Sequence, residues 1–430
     1  MGKSKKKTPR VGLYAWGGPG TIRLLHTKYS NPRIDIPSFM KMYDTSWLES
    51  AKNTLNVTDM WVTFSWGFSN ATERNDRNFI INRLPLFKEK DIKTYAYIQG
   101  TNLVTREFPT KGSNSPFCRD AVGGLLPYSR GRSFTCPNNP RAVAIIAQRV
   151  VEACKHDFDA IFIDNIFLGL PAWYYRKDIL SFAGCSCTYC QEKFTKEFGY
   201  KLPLRSKKGT KVVSDYINFR TRSLTQLVSR LSRISRSAGK QFGVNLYDPY
   251  WHTSDIMFGY NFKAIESYLD YYLIENHHLN KGNAHLQSLL EQKEKATFVV
   301  SYKKGIGFDS SFTQEEINNW WSDSQKLGYI PCLKATEYIT NKTWHGINWD
   351  LISTPQVLSL VHSENSIPRL KLKNASKIGQ ILVPVIDLFL PIIIRKYYSS
   401  AKTFALFNKL GIYQKIVQSP KVFEDFIAEV

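Results

Sequence analysis

Three of the seven cysteines in this 430-residue chain stand within six positions, as Cys185-Ser-Cys187-Thr-Tyr-Cys190. A thiolate binds zinc at about 2.3 Å and a structural site takes four protein ligands, so the triplet needs one more. Cys136, in Cys136-Pro-Asn-Asn-Pro140, is the preferred fourth ligand, with Cys118 as the alternative; Cys154 and Cys332 read as buried core thiols. A reduced cluster or a disulfide pair is the plainer reading of the same residues, but spacing this dense is uncommon in ordinary loops. The expected cofactor is therefore a structural zinc, closed to water because four protein ligands leave no open position.

A second set of residues with chemical potential follows apolar runs. These are Asp164 in Phe162-Ile163-Asp164-Asn165, Asp248 in Tyr247-Asp248-Pro249-Tyr250-Trp251, Glu275 in Ile274-Glu275-Asn276-His277-His278, and Glu337 in Ala335-Thr336-Glu337-Tyr338. Two carboxyl groups flanking a glycosidic bond can cleave it, one protonating the leaving oxygen while the other attacks or activates water. Any one of these acids could be a buried structural group, but four in equivalent places exceed what packing requires. Asp164 and Glu275 are the catalytic candidates. Asp248, Glu337, Asn165 and His277 are candidates for binding sugar hydroxyls. The tandem His277-His278 is a poor metal pair, because neighbours on an extended segment point apart. Aromatic residues make up 14% of the chain, and Trp16, Trp66 and Trp251 fall near strand ends, where flat rings could stack on sugar faces. Tyr272 or Trp251 could wall the pocket around Glu275.

These residues need elements to position them. Eight short, near-continuous apolar runs predict parallel strands covered on both faces: Val11–Trp16, Met60–Trp66, Thr94–Gln99, Ala160–Asp164, Phe242–Tyr247, Tyr271–Glu275, Thr297–Tyr302 and Tyr329–Thr336. Helical patterning separates them, around Pro37–Asn53, Arg77–Glu89, Arg141–Lys155, Asp215–Ala238, Phe262–Leu269, 284–292 and Gln314–Lys326. Strand then helix, eight times, predicts a (β/α)8 barrel, whose catalytic residues stand at the carboxyl ends of the strands. The helix before the fourth strand is the best marked, with Asn139 to cap it and Pro140 in its first turn. Gly17, Gly18 and Gly20 lack the dinucleotide fingerprint and read as a turn. The stretches after strands three and four are long, as loops on the catalytic face of such barrels tend to be. The organisation predicted is a basic tail over residues 1–9, the barrel over 10–368, and the opening of a second α/β segment over 369–430. The tail segment is too short to fold alone, so it is expected to dock on the barrel or on another subunit of a homo-oligomer.

The formal net charge is +22, a field that attracts anions. The basic residues are spread, apart from the opening tail and the stretch from Lys201 to Lys240, and no nucleic-acid-binding spacing is present. A solvated basic face is expected, with neither nucleic acid nor membrane as partner. The longest apolar stretch, Ile378 to Ile394, is interrupted by Asp387 and two prolines and does not read as a membrane span. The charged opening predicts no signal peptide, and Lys6 stands where myristoylation requires Ser or Thr, so the expected address is cytoplasmic.

The segment from Cys136 to Gly199 resembles glycoside hydrolase family 42 β-galactosidases and the related hypothetical glycosyl hydrolase 6 group. The likeness is carried by Thr135-Cys136-Pro137-Asn138-Asn139-Pro140, by Ala160-Ile161-Phe162-Ile163-Asp164-Asn165, and by Cys185-Ser-Cys187-Thr-Tyr-Cys190-Gln-Glu-Lys-Phe194. The resemblance implies a zinc held by Cys136, Cys185, Cys187 and Cys190. It also implies that the residues after Lys377 begin an amidotransferase-like domain of the kind that helps those enzymes form trimers. Two departures stand out. Asn165 is followed by Ile166 where family 42 has its general-acid Glu, and Val300-Ser301-Tyr302-Lys303 lacks that family's nucleophile. Hydrolase groups resembling this arrangement with Asp at strand four use it as the nucleophile of a retaining mechanism, which implies Asp164 as nucleophile and Glu275 as acid/base. The function expected is a glycosidase acting on an oligosaccharide or glycoconjugate. The alternative is a catalytically silent carbohydrate-binding barrel, and a third reading, supported by charge alone, is an anion-binding protein.

Overall fold

The computed structural model describes residues 10–14, 18–29, 40, 43–120, 123–129, 131–168, 185–202, 211–247, 258–276, 294–301 and 326–334. The strands, in chain order, are β1 (Val11–Tyr14), β2 (Val57–Ser65), β3 (Lys93–Gln99), β4 (Asn102–Val104), β5 (Pro127–Ser129), β6 (Arg132–Phe134), β7 (Ala160–Asp164), β8 (Gln241–Tyr247), β9 (Tyr272–Asn276), β10 (Thr297–Ser301) and β11 (Ile330–Lys334). All but β4, β5 and β6 close into one barrel in the order β1-β2-β3-β7-β8-β9-β10-β11, with β11 back against β1. Every neighbouring pair in it is parallel, so all the strand carboxyl ends share one rim. This is the (β/α)8 barrel expected from the eight apolar runs. The helices described are α1 (Pro19–Tyr29), α2 (Thr45–Leu55), α3 (Asn70–Ile81), α4 (Leu84–Glu89), α5 (Pro140–Cys154), α6 (Thr188–Phe198), α7 (Lys211–Ser237) and α8 (Phe262–Ile265).

The apolar runs read as continuous because each strand faces two cores. In β7, Ile161 and Ile163 join the layer between barrel and helices, while Ala160 and Phe162 face the barrel axis beside Tyr14, Trp61, Tyr95, Tyr97 and Phe298. The axis is filled almost entirely by rings: Trp61 stacks on Tyr95 at 4.2 Å, and Phe298 meets Trp61 edge-on at 4.8 Å. Much of the high aromatic content is therefore packing inside the barrel rather than a sugar-stacking surface. Small residues make room for these rings. A Cβ at Gly243 would lie 2.4 Å from the ring of Tyr271, closer than carbon atoms can approach.

The amino end of the barrel is closed by a buried charge. Asp59 is fully buried on β2 and accepts two hydrogen bonds of 2.8 Å from Arg10 and one of 2.8 Å from the Tyr95 hydroxyl. Arg10 thereby anchors the start of the first strand to the second. At the helix before the fourth barrel strand, the Asn139 side chain accepts from Arg141 N at 2.9 Å and Pro140 follows it, as the sequence predicts.

Elsewhere the elements differ from expectation. The long stretch after β3 carries a small antiparallel sheet, ordered β4-β6-β5, whose three-residue strands are too short to show alternation. The single helix predicted over Arg77–Glu89 is two: α3 starts earlier, where Ser69 accepts from Thr72 N, and α4 carries a proline in its first turn. The segment of the cysteine triplet is partly helical, since α6 begins one residue after Cys187. Gly18 has φ +86°, which fits the predicted turn, and α1 starts directly after it. The tail over 1–9, the second α/β segment over 369–430 and the helices predicted near 284–292 and 314–326 fall outside the described residues, apart from Lys326. Among the described residues no helix is long and apolar enough to cross a membrane.

Because Tyr271 is locked among other rings and its hydroxyl donates to Ile161 O at 3.0 Å, it has no easy retreat. Gly243→Ala is expected to lower stability by about 1–3 kcal/mol, the usual cost of overpacking a core, read as a lower urea midpoint with an unchanged slope.

Candidate active site and thiol cluster

Asp164 is the last residue of β7 and Glu275 lies one residue before the end of β9, so both point into the barrel at the carboxyl rim. They are 1% and 2% exposed. β8 runs between their strands, and its Asn245 amide reaches both: Nδ2 donates to Asp164 Oδ1 at 2.6 Å and to Glu275 Oε1 at 3.0 Å. Two oxygens that both touch one nitrogen can be no farther apart than the sum of those distances, about 5.6 Å. The structure thus brings together the two carboxylates singled out in the sequence, and Asn245 is the residue between them.

Asp164 collects further donors. The Tyr97 hydroxyl from β3 and the Asn165 side-chain amide both donate to Oδ2. Burial, and then the adjacent Asp164 charge, push the Tyr97 hydroxyl well above its usual range, so it remains a protonated donor. Charge-assisted hydrogen bonds of this kind stabilise negative charge in a buried place. Glu275 accepts from the same Asn245 amide, which ties the two acids to one donor.

Backbone geometry holds this arrangement. Past the ends of β3 and β7 the chains stay paired, with Gly100 N donating to Asp164 O at 2.7 Å and Thr101 N to Asn165 O at 3.1 Å. A Cβ at Gly100 would lie 2.4 Å from Asp164 O, so only glycine permits the approach. Asn165 adopts φ +53°, a left-handed conformation that Asn tolerates better than most residues, and its Oδ1 accepts from the Tyr247 hydroxyl at 3.1 Å. Asn165 therefore touches the acid directly.

Trp66 follows β2, is buried, donates Nε1 to Thr21 Oγ1 at 3.3 Å and packs on Tyr97 with ring centres 4.7 Å apart. It lies among the axial rings. Trp16, Asp248, Trp251, His277 and Glu337 fall outside the described residues. Tyr272 does not wall the Glu275 pocket: alternation along β9 turns it outward, where its hydroxyl meets Glu266 at 3.0 Å.

Two residues of the rim carry only a faint signal in the sequence. Asn245 is a lone amide inside the apolar run Phe242–Tyr247, and a polar residue in such a run was the available signal. Glu73 is another. Buried on α3, it accepts from Ser65 Oγ, Trp66 N and Phe68 N at 2.7, 2.6 and 3.2 Å, and pairs with Arg77 at 2.7 Å, so it fixes the loop after β2.

The thiols of Cys136, Cys185, Cys187 and Cys190 converge, all four Sγ atoms lying within 4.8 Å of one another. Cys136 Sγ is 3.4 Å from Cys190 Sγ and 3.6 Å from Cys187 Sγ. Sulfurs around a tetrahedral zinc would be about 3.8 Å apart, so the spacing fits a metal of that size. Donors point at the sulfurs: Asn138 N reaches Cys136 Sγ at 3.4 Å, Asn138 Nδ2 reaches Cys190 Sγ at 3.3 Å, and Arg119 N reaches Cys185 Sγ at 3.4 Å. Burial pushes the Cys136 and Cys185 thiols up, but hydrogen bonds from neighbouring cysteines outweigh it. Cys136 is lowered to about 6 and Cys185 falls well below the ordinary thiol range. Cys118 is buried beside Cys136 and Cys185 and is not one of the four that converge. The cluster ties the loop before α5 to the loop leading into α6, both on the carboxyl rim.

The sequence matches no protein-family model and no curated protein. Solved structures do share the fold. The catalytic domain of β-amylase from Paenibacillus polymyxa aligns with a TM-score of 0.51 at 11% identity, covering 83% of this chain and 98% of that one. Weaker likenesses are to Ega3 of Aspergillus fumigatus in complex with galactosamine (TM-score 0.35, 12% identity, 74% and 88% covered) and to the glycoside hydrolase domain of PelA from Pseudomonas aeruginosa (TM-score 0.36, 11% identity, 77% and 96% covered). The chain is a (β/α)8 barrel sharing the architecture of the β-amylase catalytic domain. The resemblance to family 42 rests on the cysteine and strand motifs quoted above.

Removing the bridging amide should leave two carboxylates facing each other with one donor fewer. Asn245→Leu, which nearly preserves volume, is expected to cost about 1–3 kcal/mol, the usual cost of a lost buried donor. The loss should shrink when Glu275→Gln is added, a coupling that a double-mutant cycle of denaturation midpoints would detect.

Proposed function

We propose that this protein is a glycoside hydrolase acting on an oligosaccharide or glycoconjugate by a retaining mechanism. The observation that carries the reading is the pair of buried carboxylates at the barrel rim, with nearest oxygens within about 5.6 Å across Asn245. Retaining enzymes hold their carboxyl groups about 5–5.5 Å apart, whereas inverting ones need about 6.5–9.5 Å to admit a water. Asp164, with donors from Tyr97, Asn165 and Asn245, is suited to remain an anion and attack the anomeric carbon. Glu275, facing Asp164 across the Asn245 amide, is placed to carry the proton that the leaving oxygen takes, and then to accept one from the water that releases the sugar.

We further infer that the four-thiol cluster holds a structural zinc. Four protein sulfurs complete the coordination of such an ion and leave no place for a reacting water, so its role would be to tie the two rim loops together. The N–H groups aimed at the sulfurs favour thiolates, the form a metal requires.

Asp164→Asn preserves shape and removes charge, so turnover of a cleaved glycoside should fall by about three or more orders of magnitude while binding survives. Glu275→Gln should slow substrates with poor leaving groups far more than activated aryl glycosides, since only the former need protonation. Full activity in Asp164→Asn on a confirmed substrate would refute the assignment. If wild type binds sugars and cleaves none, the silent carbohydrate-binding barrel becomes the function.

For the metal, elemental analysis of purified protein should show close to one zinc per chain. Cys187→Ser should lower both that content and the melting temperature, and melting unchanged by a strong chelator would count against the inference. Because protons compete for thiolates, zinc retention should weaken as the pH is lowered.

A further inference from the structure

Close to Asp164 the rim holds a buried guanidinium that no described carboxylate contacts. Arg132, on β6, is 2% exposed, and its Nε and Nη2 both donate to the side-chain oxygen Oδ1 of Asn102, at 2.9 and 2.6 Å. Among the described residues no carboxylate pairs with it, and its Nη1 has no hydrogen-bond partner. Two more buried donors nearby are also unpartnered: Nδ2 of Asn102 and Nε2 of Gln99. Gln99 ends β3 on the same alternation as Tyr97 and lies in register with Asp164. A Cβ at Gly67 would sit 2.7 Å from Arg132 Nη2 and 3.5 Å from Gln99 Cγ, which places those two side chains together at the rim.

The wall behind them adds positive charge. Arg149 is buried on α5, donates Nη2 to Phe68 O at 2.6 Å, and leaves its Nε and Nη1 without partners. The nearby Glu73 is already in contact with Arg77. Burial pushes both Arg132 and Arg149 down from the usual guanidinium range, the cost expected of cations removed from water, and Glu73 and Asp164 act on Arg132 only through space. A buried cation flanked by unpartnered N–H groups is a site built for an acceptor that carries negative charge.

We propose that Arg132, with Gln99 and Asn102, binds an anionic substituent of the sugar chain, a carboxylate or a sulfate, next to the reacting position, so that the substrate is an acidic glycan. This rests on the glycosidase reading of the same rim and names the class of substrate. The net charge of +22 fits it, since such a field draws polyanions toward the protein. An amide–guanidinium set has no acceptor to offer a neutral hydroxyl's proton at the free atoms, so a neutral sugar would leave the cation uncompensated.

The test is binding of the full-length protein to a glycan array that pairs uronate-containing glycans with their carboxyl-reduced forms, and sulfated glycans with their unsulfated forms. Wild type should prefer acidic members at least tenfold over their neutral counterparts, and which pair shows the preference identifies carboxylate or sulfate. Arg132→Gln should abolish the preference and leave neutral binding unchanged, while Arg132→Lys should keep part of it. If Arg132→Gln does not fold, Gln99→Leu, which keeps the charge, should weaken acidic binding several-fold with neutral binding intact. No acidic preference in wild type, including no binding at all, overturns the proposal, as does a preference that survives Arg132→Gln. Hydrolysis of neutral glycans without acidic preference sinks this inference alone. Acidic preference without hydrolysis sinks only the catalytic reading.

Discussion

Two carboxylates that are nearly inaccessible to water cannot share a barrel mouth unless donors are brought to them, and most of the rim follows from that constraint. Asn245 supplies the shared amide, Tyr97 and Asn165 also donate to Asp164, and each comes from a different place in the chain. β3, β7, β8 and β9 are consecutive around the barrel, so the parallel register brings Gln99 level with Asp164 and Tyr247 level with Glu275. The barrel thus works as a register device: a one-residue slip in any of these strands would turn its polar group outward into the helical layer. Gly100 belongs to the same constraint, because only a residue without Cβ lets the chains stay paired beyond the end of β7.

The loops above the rim are held by polar and sulfur contacts as well as by buried apolar side chains such as Phe68, Leu126, Phe167 and Leu168. Glu73 gathers the backbone after β2, and the thiol cluster joins the segments ahead of α5 and α6. These anchors share a mechanism. Each places one multivalent acceptor, or one cluster of them, where N–H groups already point. The cluster lies two residues beyond β6, so it also helps to fix the small sheet that carries Arg132 and Asn102.

The barrel interior beneath the rim is unusually rich in rings. Tyr14, Trp61, Tyr95, Tyr97, Phe162, Tyr271 and Phe298 fill the axis, with Gly12 and Gly243 as the gaps that admit them. Aromatic composition alone suggested a sugar-binding surface, but composition does not distinguish a ring facing inward from one facing the mouth. Trp66 shows the ambiguity: it follows a strand end, as a stacking residue would, yet it packs on Tyr97 and bonds to Thr21.

Read alone, the sequence determined the eight strands and their order, because doubly covered strands leave apolar runs that survive any detail of packing. It also determined the candidate acids Asp164 and Glu275 and the cysteine triplet, since strand ends and Cys spacing are local signals. The small sheet of β4, β5 and β6 was not legible, because three-residue strands show no period, and the break between α3 and α4 was set by capping at Ser69 rather than by hydrophobic pattern. Only the tertiary structure decided which groups meet. Asn245 reaches Asp164 and Glu275 across 81 and 30 residues of chain, and Arg132 meets Asn102 across 30. Contacts at such separations depend on barrel closure and strand register, which no local window of sequence contains.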